Sequence, residues 1–342
     1  MKLTIFVLFL CLISNYTFGQ YSNIGEQTIN YMDSTRNRPV TVEIWYPTDE
    51  IDSTFERKTD LPFILSPTIR DAKIMNKSFP LVVLSHGTGG NRFGLAWLAI
   101  ELAQQGYMVA APNHWGNTFD NKIPEKFVQY WERPLDISFL ITSLLNDTSF
   151  NTFIDEDKIG MAGFSFGGYT TLALAGADIH CELVKNSATT KQGKKDFTIP
   201  ELGDLRPLIN KIDCQNIPAT FKDNRIKVFV AMAPALGLGY DTTQTIDTQT
   251  IYTQTPILIV GAENDQVAPL TTNALRYVSL LPNAKFIKLE GKVGHYVFLN
   301  EGTKELQKEA KKYYRDDKTV SRNSIHENLK NAILPFFDSN LK

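Results

Sequence analysis

Ser165 stands in Gly163-Phe164-Ser165-Phe166-Gly167, a Gly-x-Ser-x-Gly pentapeptide between an apolar run ending at Phe164 and a small-residue helical stretch through Leu172, Ala173, Leu174 and Ala175. A serine at such a strand-to-helix junction sits on a turn so tight that side chains two residues away on either side would collide, hence the glycines. The turn lifts the hydroxyl above the sheet edge. It also sets the Phe166 N–H beside that hydroxyl, at a helix N-terminus that favours negative charge.

Serine is a weak nucleophile at neutral pH and needs a base, which in turn needs an orienting carboxylate. Both follow Ser165 in the chain. Asp265 lies in Gly261-Ala262-Glu263-Asn264-Asp265-Gln266, just beyond a buried apolar run, with Glu263 as the fallback. His295 lies in Gly291-Lys292-Val293-Gly294-His295, beyond the next run. Of the five histidines, His86 precedes the serine, His180 is in an insertion, and His326 is on a closing helix in a polar setting. His295 is the expected base.

A tetrahedral oxyanion needs two preorganised donors. Phe166 supplies one N–H. The loop His86-Gly87-Thr88-Gly89-Gly90, at the end of Phe79-Pro80-Leu81-Val82-Val83-Leu84-Ser85, supplies the other, and Thr88 is the expected donor. His86 is expected to hold this loop by hydrogen bonds. Together with His114 and Trp115 it is also expected to line the substrate site.

These residues need a frame. Residues 21–34 and Val40 to Pro47 alternate apolar and polar side chains, as an antiparallel hairpin or meander does. Buried runs then alternate with helical patterns: Phe79–Ser85, a helix from Arg92 to Gln105, Tyr107–Ala111, a helix from Arg133 to Leu145, and Lys158–Phe164. That is a βαβ series with a mostly parallel sheet, an α/β architecture. The pattern breaks at 177–226, a polar cap insertion after the nucleophile helix. Its lysines, Lys185, Lys191, Lys194 and Lys195, are expected to be a solvated face. Its apolar stripe of Leu205, Leu208, Ile209 and Ile212 serves either as packing or as one wall of an acyl pocket. The sheet resumes with Val228–Pro234, Pro256–Gly261 and Lys285–Leu289, a helix covers 270–281, and Ile325 to Phe336 mark the closing helix. Residues 241–255 are expected to be a surface loop.

Residues 1–19 read as a secretory signal peptide: Lys2, then the apolar run Leu3 to Ile13, then small residues at Thr17 and Gly19. The apolar run is too short to span a bilayer. The mature chain, 20–342, is then expected to be one domain with its cap, in the periplasm or outside the cell. There Cys181 and Cys214, which bracket the cap, are expected to form a disulfide. No His or Cys cluster has ligand spacing, so no metal is expected. With 43% hydrophobic residues the chain can fill a large core, and a formal charge of −2 gives no reason to expect nucleic acid as partner.

Four segments carry a family resemblance: Ser85-His86-Gly87-Thr88-Gly89-Gly90, the loop Asn113-His114-Trp115-Gly116-Asn117-Thr118, Glu132-Arg133-Pro134-Leu135-Asp136-Ile137, and Gly163 to Gly168. They resemble the dienelactone-hydrolase-like branch of the α/β-hydrolases and are particularly similar to secreted relatives of platelet-activating-factor acetylhydrolase. The resemblance implies an α/β-hydrolase fold and hydrolysis of short-chain or lipid-like carboxylic esters. It assigns Ser165, Asp265 and His295 to a triad, the N–H groups of Thr88 and Phe166 to an oxyanion hole, and no cofactor. Two departures narrow it. Dienelactone hydrolases proper have a cysteine where this chain has Ser165. The mammalian acetylhydrolases take their acid after the strand matching Val228–Pro234, where Ala231-Met232-Ala233-Pro234 has no carboxylate. A peptidase or amidase on the same triad, and a silent binding scaffold, stay open at the level of sequence.

Overall fold

Leu81 and Val83 pack into one apolar cluster, and Val82 and Leu84 into another. Such a period of two, apolar on both sides, requires a strand covered on both faces. The computed structural model describes residues 21–51, 61–241 and 255–342. The signal-peptide segment 1–19 and nearly all of the 241–255 loop lie outside the described residues.

In chain order the main sheet contains β1 (Ile24–Asp33), β2 (Arg38–Pro47), β3 (Ile69–Arg70), β4 (Phe79–Ser85), β5 (Met108–Pro112), β6 (Ile154–Phe164), β7 (Ile226–Met232), β8 (Ile257–Ala262) and β9 (Lys285–Leu289). Their spatial order is β9-β8-β7-β6-β4-β5-β2-β1-β3. Every neighbouring pair from β9 to β5 is parallel, whereas β2 runs antiparallel to both β5 and β1. The parallel strands therefore all open their carboxyl ends on one edge, where crossover loops converge.

Helices cover both faces: α1 (Ala96–Gln104), α2 (Pro124–Val128), α3 (Glu132–Asn146), α4 (Phe166–Leu174), α5 (Cys181–Ala188), α6 (Lys191–Asp196), α7 (Arg206–Asn210) and α8 (Ala274–Leu280). Ile137 and Leu140 of α3 and Leu172 of α4 fill one cluster, while Leu98 and Leu102 of α1 join Leu329 and Ile333 of the closing helix, Arg322–Leu341, in the other. Helix α1 is shorter than the periodicity predicts. The Asn91 side-chain carbonyl accepts the Phe93 N–H at 3.0 Å and the Gly94 N–H bonds back to Asn91 at 2.9 Å, so the chain turns before it winds. Helix α8 likewise begins late, because Asn273, at φ −132° and ψ −95°, separates it from a preceding 3-10 turn.

The cap holds α5, α6, a two-residue hairpin and α7. Cys181 and Cys214 form a disulfide with their Cα atoms 5.7 Å apart. This consumes both thiols of the one Cys/Glu grouping among the described residues that could have been read as a metal site. Within the cap stripe Ile209 is buried as packing, and Leu205 forms part of a pocket wall. No helix of the described residues is long and apolar enough to cross a membrane.

Candidate active site

Ser165 has φ 57° and ψ −115°, a conformation costly for any residue with a side chain. Three backbone bonds hold it there. Its N–H donates to the Met232 carbonyl at 2.9 Å, and its carbonyl accepts from Tyr169 and Ala235, both at 3.0 Å. The glycines make the turn possible. A Cβ on Gly163 would overlap the Gly167 carbonyl, and one on Gly167 would overlap the Ser85 carbonyl. Strand β6, helix α4 and the end of β4 are thus in direct backbone contact under the serine.

The Ser165 hydroxyl lies 2.9 Å from His295 Nε2, and His295 Nδ1 lies 2.6 Å from Asp265 Oδ2. With Nδ1–H donating to the carboxylate, Nε2 is left to accept the serine proton. The second Asp265 oxygen accepts the Val267 and Ala268 N–H groups at 2.8 and 2.7 Å, which fixes the carboxylate just past β8. All three side chains are nearly buried, at 7, 3 and 4% exposure in the order Ser165, Asp265, His295. Glu263 is exposed and turns away. It accepts from Lys288 and the Gly291 N–H, so the fallback carboxylate ties β8 to the end of β9.

Thr88 and Phe166 line the same pocket as Ser165. Among the described residues, neither the Thr88 nor the Phe166 N–H donates to any acceptor. The Thr88 loop is anchored from its flank: the Gly89 N–H donates to Asn117 Oδ1 at 2.9 Å and the Gly90 N–H to the Gly87 carbonyl at 3.1 Å.

His86, His114 and Trp115 are not part of the pocket wall, which corrects the expectation that they line the substrate site. His86 and His114 point inward, at 4 and 0% exposure. The His114 N–H donates to His86 Nε2 at 3.3 Å, leaving His86 Nδ1–H to donate to the Gly87 carbonyl at 2.7 Å. His86 thus holds its loop by hydrogen bonds. His114 bonds Ser85 Oγ at 3.0 Å and Asp136 Oδ2 at 2.9 Å. Trp115 packs under two cations, with the Arg38 guanidinium 5.7 Å and the Lys126 ammonium 5.6 Å from its ring centre.

Ser85, His114 and Asp136 therefore repeat the bond order of the Ser165 chain, but all three are sealed at zero exposure. Asp136 also takes a two-pronged bond from Arg38 at 2.8 and 2.7 Å. Burial pushes its carboxyl up, yet the bonds from His114 and Arg38 outweigh burial and hold it well below the usual range. Burial, then the Arg133 charge, depress His114 to about 3, so it is neutral. Arg133, also buried, donates to the His86 carbonyl and lies 4.7 Å over the Phe166 ring. Burial lowers it to about 9, which leaves it charged at neutral pH. This network braces the Thr88 loop and Phe166 from behind.

The pocket beside Ser165 is mostly apolar, walled by Phe127, Tyr130, Phe166, Phe197 and Leu205. One acid breaks that wall. Asp196, the last residue of α6, was hidden in sequence by the neighbouring Lys194 and Lys195, which suggested a solvated face. Lys191, Lys194 and Lys195 are exposed as expected and Lys185 is half-buried, while Asp196 is half-buried and Phe197, just past the helix, is buried.

Comparison with known proteins agrees with this layout. The family model for platelet-activating factor acetylhydrolase, isoform II, matches residues 64–119. That for the C-terminal region of BAAT / acyl-CoA thioester hydrolases matches 149–295, a segment that begins just before β6 and ends on His295. A ferulic acid esterase from Streptomyces cinnamoneus superposes with TM-score 0.59 at 18% identity, over 93% of this chain and 90% of its own. Dipeptidyl-peptidase 5 of Arthroderma otae is 32% identical over 123 residues, 34% of this chain and 16% of that protein. The probable dipeptidyl-peptidase 5 of Trichophyton verrucosum is 32% identical over 124 residues, with the same coverage. The chain thus matches only a small part of the length of these curated relatives. The fold is that of the α/β-hydrolases, and the chain is a member of that superfamily.

Proposed function

We propose that the protein is an exported serine hydrolase that cleaves carboxylic esters. The observation that carries the reading is the unbroken chain from Ser165 through His295 to Asp265, at 2.9 and 2.6 Å, beside two N–H groups with no acceptor among the described residues. Ser165 Oγ attacks the ester carbonyl as His295 Nε2 takes its proton. The carbonyl oxygen becomes an oxyanion between the Thr88 and Phe166 N–H groups. The intermediate collapses, the C–O bond to the alcohol breaks, and His295 returns the proton to the departing alkoxide. Water, deprotonated by His295, then attacks the acyl-serine, and the acid leaves as Ser165 recovers its proton. Asp265 keeps Nδ1 protonated and stabilises the imidazolium.

The pocket beside Ser165 is mostly apolar, which suits an acyl or alcohol group with an apolar body. A panel of p-nitrophenyl esters graded by chain length tests the activity. Turnover by the wild type and its loss by several orders of magnitude in Ser165→Ala are expected. Equal turnover by that variant, or failure of a fluorophosphonate probe to label Ser165, refutes the assignment. Export is part of the proposal. The Cys181–Cys214 disulfide supports it, since such bonds persist in oxidising compartments. N-terminal sequencing of the mature protein checks it, with Gln20 as the expected first residue.

A further inference from the structure

We propose that the pocket selects esters carrying a protonated amine, with Asp196 as the counter-charge; this deepens the ester-hydrolase reading and rests on it. Asp196 lines the same pocket as Ser165. Among the described residues its carboxylate has a single hydrogen bond, from Gln192 Nε2 to Oδ1 at 2.6 Å, and no ion pair. Gln192 is itself steadied by a bond to the Val267 carbonyl at 3.2 Å, in the segment that carries Asp265. Among the described residues the second Asp196 oxygen has no donor.

Asp196 is partly buried and its second oxygen opens to solvent, a place that a ligand cation can take. Burial pushes the Asp196 carboxyl up to about 6, against the pull of the Gln192 bond and of Lys195. It is therefore charged at neutral pH. Asp265 differs: its two oxygens already accept from His295, Val267 and Ala268. Asp196 bonds to neither His295 nor Ser165, so it does not hold the triad in place. Four aromatic rings, Phe127, Tyr130, Phe166 and Phe197, line the same pocket. Ring faces attract cations as well as alkyl chains, so the wall accepts an ammonium head on an apolar stem. A plain alkyl ester uses the rings and leaves the carboxylate bare.

The test compares esters that differ only in –NH3+ against –CH3. One pair places the difference on the acyl side: p-nitrophenyl 6-aminohexanoate against p-nitrophenyl heptanoate. The other places it on the alcohol side: 5-aminopentyl butyrate against hexyl butyrate. The readout is the kcat/KM ratio of amine to methyl within each enzyme, which cancels any loss of active protein. A ratio of about ten or more is expected in at least one pair, falling at least about tenfold in Asp196→Asn. The pair that responds tells which side of the ester enters the pocket. An equal ratio in wild type and variant, or a wild-type preference for methyl in both pairs, overturns the proposal. Calorimetry with n-hexylamine and hexan-1-ol keeps the two readings apart. If no ester is cleaved, the hydrolase reading fails. Tighter binding of the amine to wild type, lost in Asp196→Asn, still upholds the site, and equal binding sinks it.

Discussion

His326 Nε2–H donates to the Val297 carbonyl at 2.8 Å, so the closing helix holds the short turn that begins with His295. The same ring stacks on Trp97 at 4.0 Å between centres, and Trp97 Nε1–H donates to the Phe298 carbonyl at 2.8 Å. Two elements on the far side of the sheet thus fix the height and direction of the imidazole facing Ser165. The sequence reading gave His326 a polar setting, whereas it is only 8% exposed.

That burial has a pH signature. It depresses His326 to about 4, below the value near 6.5 of the unfolded chain. Between these values the unfolded state takes a proton that the folded state refuses, so this group's contribution to stability falls as pH falls from about 6.5 to 4. His326→Gln is expected to cost about 1–2 kcal/mol at pH 7. The gap to wild type should then shrink by roughly 1.4 kcal/mol per pH unit through that window and close or reverse by pH 4.5. Urea denaturation of both proteins at pH 7 and pH 4.5 reads this directly, and a constant gap contradicts it.

Asp265→Asn keeps the shape of the carboxylate and removes its charge. The imidazole then loses the acceptor that holds Nδ1 protonated. A fall in kcat of about 10³–10⁴-fold is expected on a nitrophenyl ester, with KM little changed. Glu263→Gln, at an exposed carboxylate that accepts from Lys288 and the Gly291 N–H, should stay within about twofold of wild type. A larger loss from Glu263→Gln than from Asp265→Asn would reverse the two roles.

The backbone crossing at Gly167 predicts a position-specific steric cost. Gly167→Ala drives a methyl group into the Ser85 carbonyl and should destabilise the fold by about 2–3 kcal/mol while displacing Ser165. Gly294→Ala, beside His295 but with nothing within 4 Å of the new carbon and no positive φ, should change stability by less than about 0.5 kcal/mol. Thermal melts of the two variants decide the matter.

Much of the frame was legible because it depends on short stretches of chain. The apolar runs gave the parallel strands within about two residues, except that β6 begins at Ile154, four residues before the Lys158 start read from sequence, and the elbow was readable because steric demand at Gly163 and Gly167 is local. Asp265 and His295 could be located as polar residues just past buried strands. The inward-facing network was not readable. Arg38 and Asp136 are 98 positions apart, and nothing in their spacing shows that they pair. His86 and His114 were assigned to the site because they lie on its loops, yet their rings face away from it. Asp196 was obscured because charge in a short helix says little about which residue turns inward.

The disulfide should contribute roughly 3–4 kcal/mol by restricting the unfolded chain, since it joins residues 33 apart in sequence. Reduction, or the paired Cys181→Ala and Cys214→Ala changes, should lower the midpoint of chemical denaturation accordingly. An unchanged midpoint would show that the cap's apolar packing suffices.

The same bond gives residues 182–213 the mechanics of a clasped ring. Both ends meet at one clasp, with its Cα atoms 5.7 Å apart, so lengthening or rewriting the ring need not tug on the strand that carries Ser165. Asp196 and Phe197 belong to the ring, and Asp265 and His295 do not. Part of the pocket wall thus sits in a segment closed at one clasp, and grafting a different ring between the same two cysteines is a direct way to ask how far the proposed substrate preference travels with it.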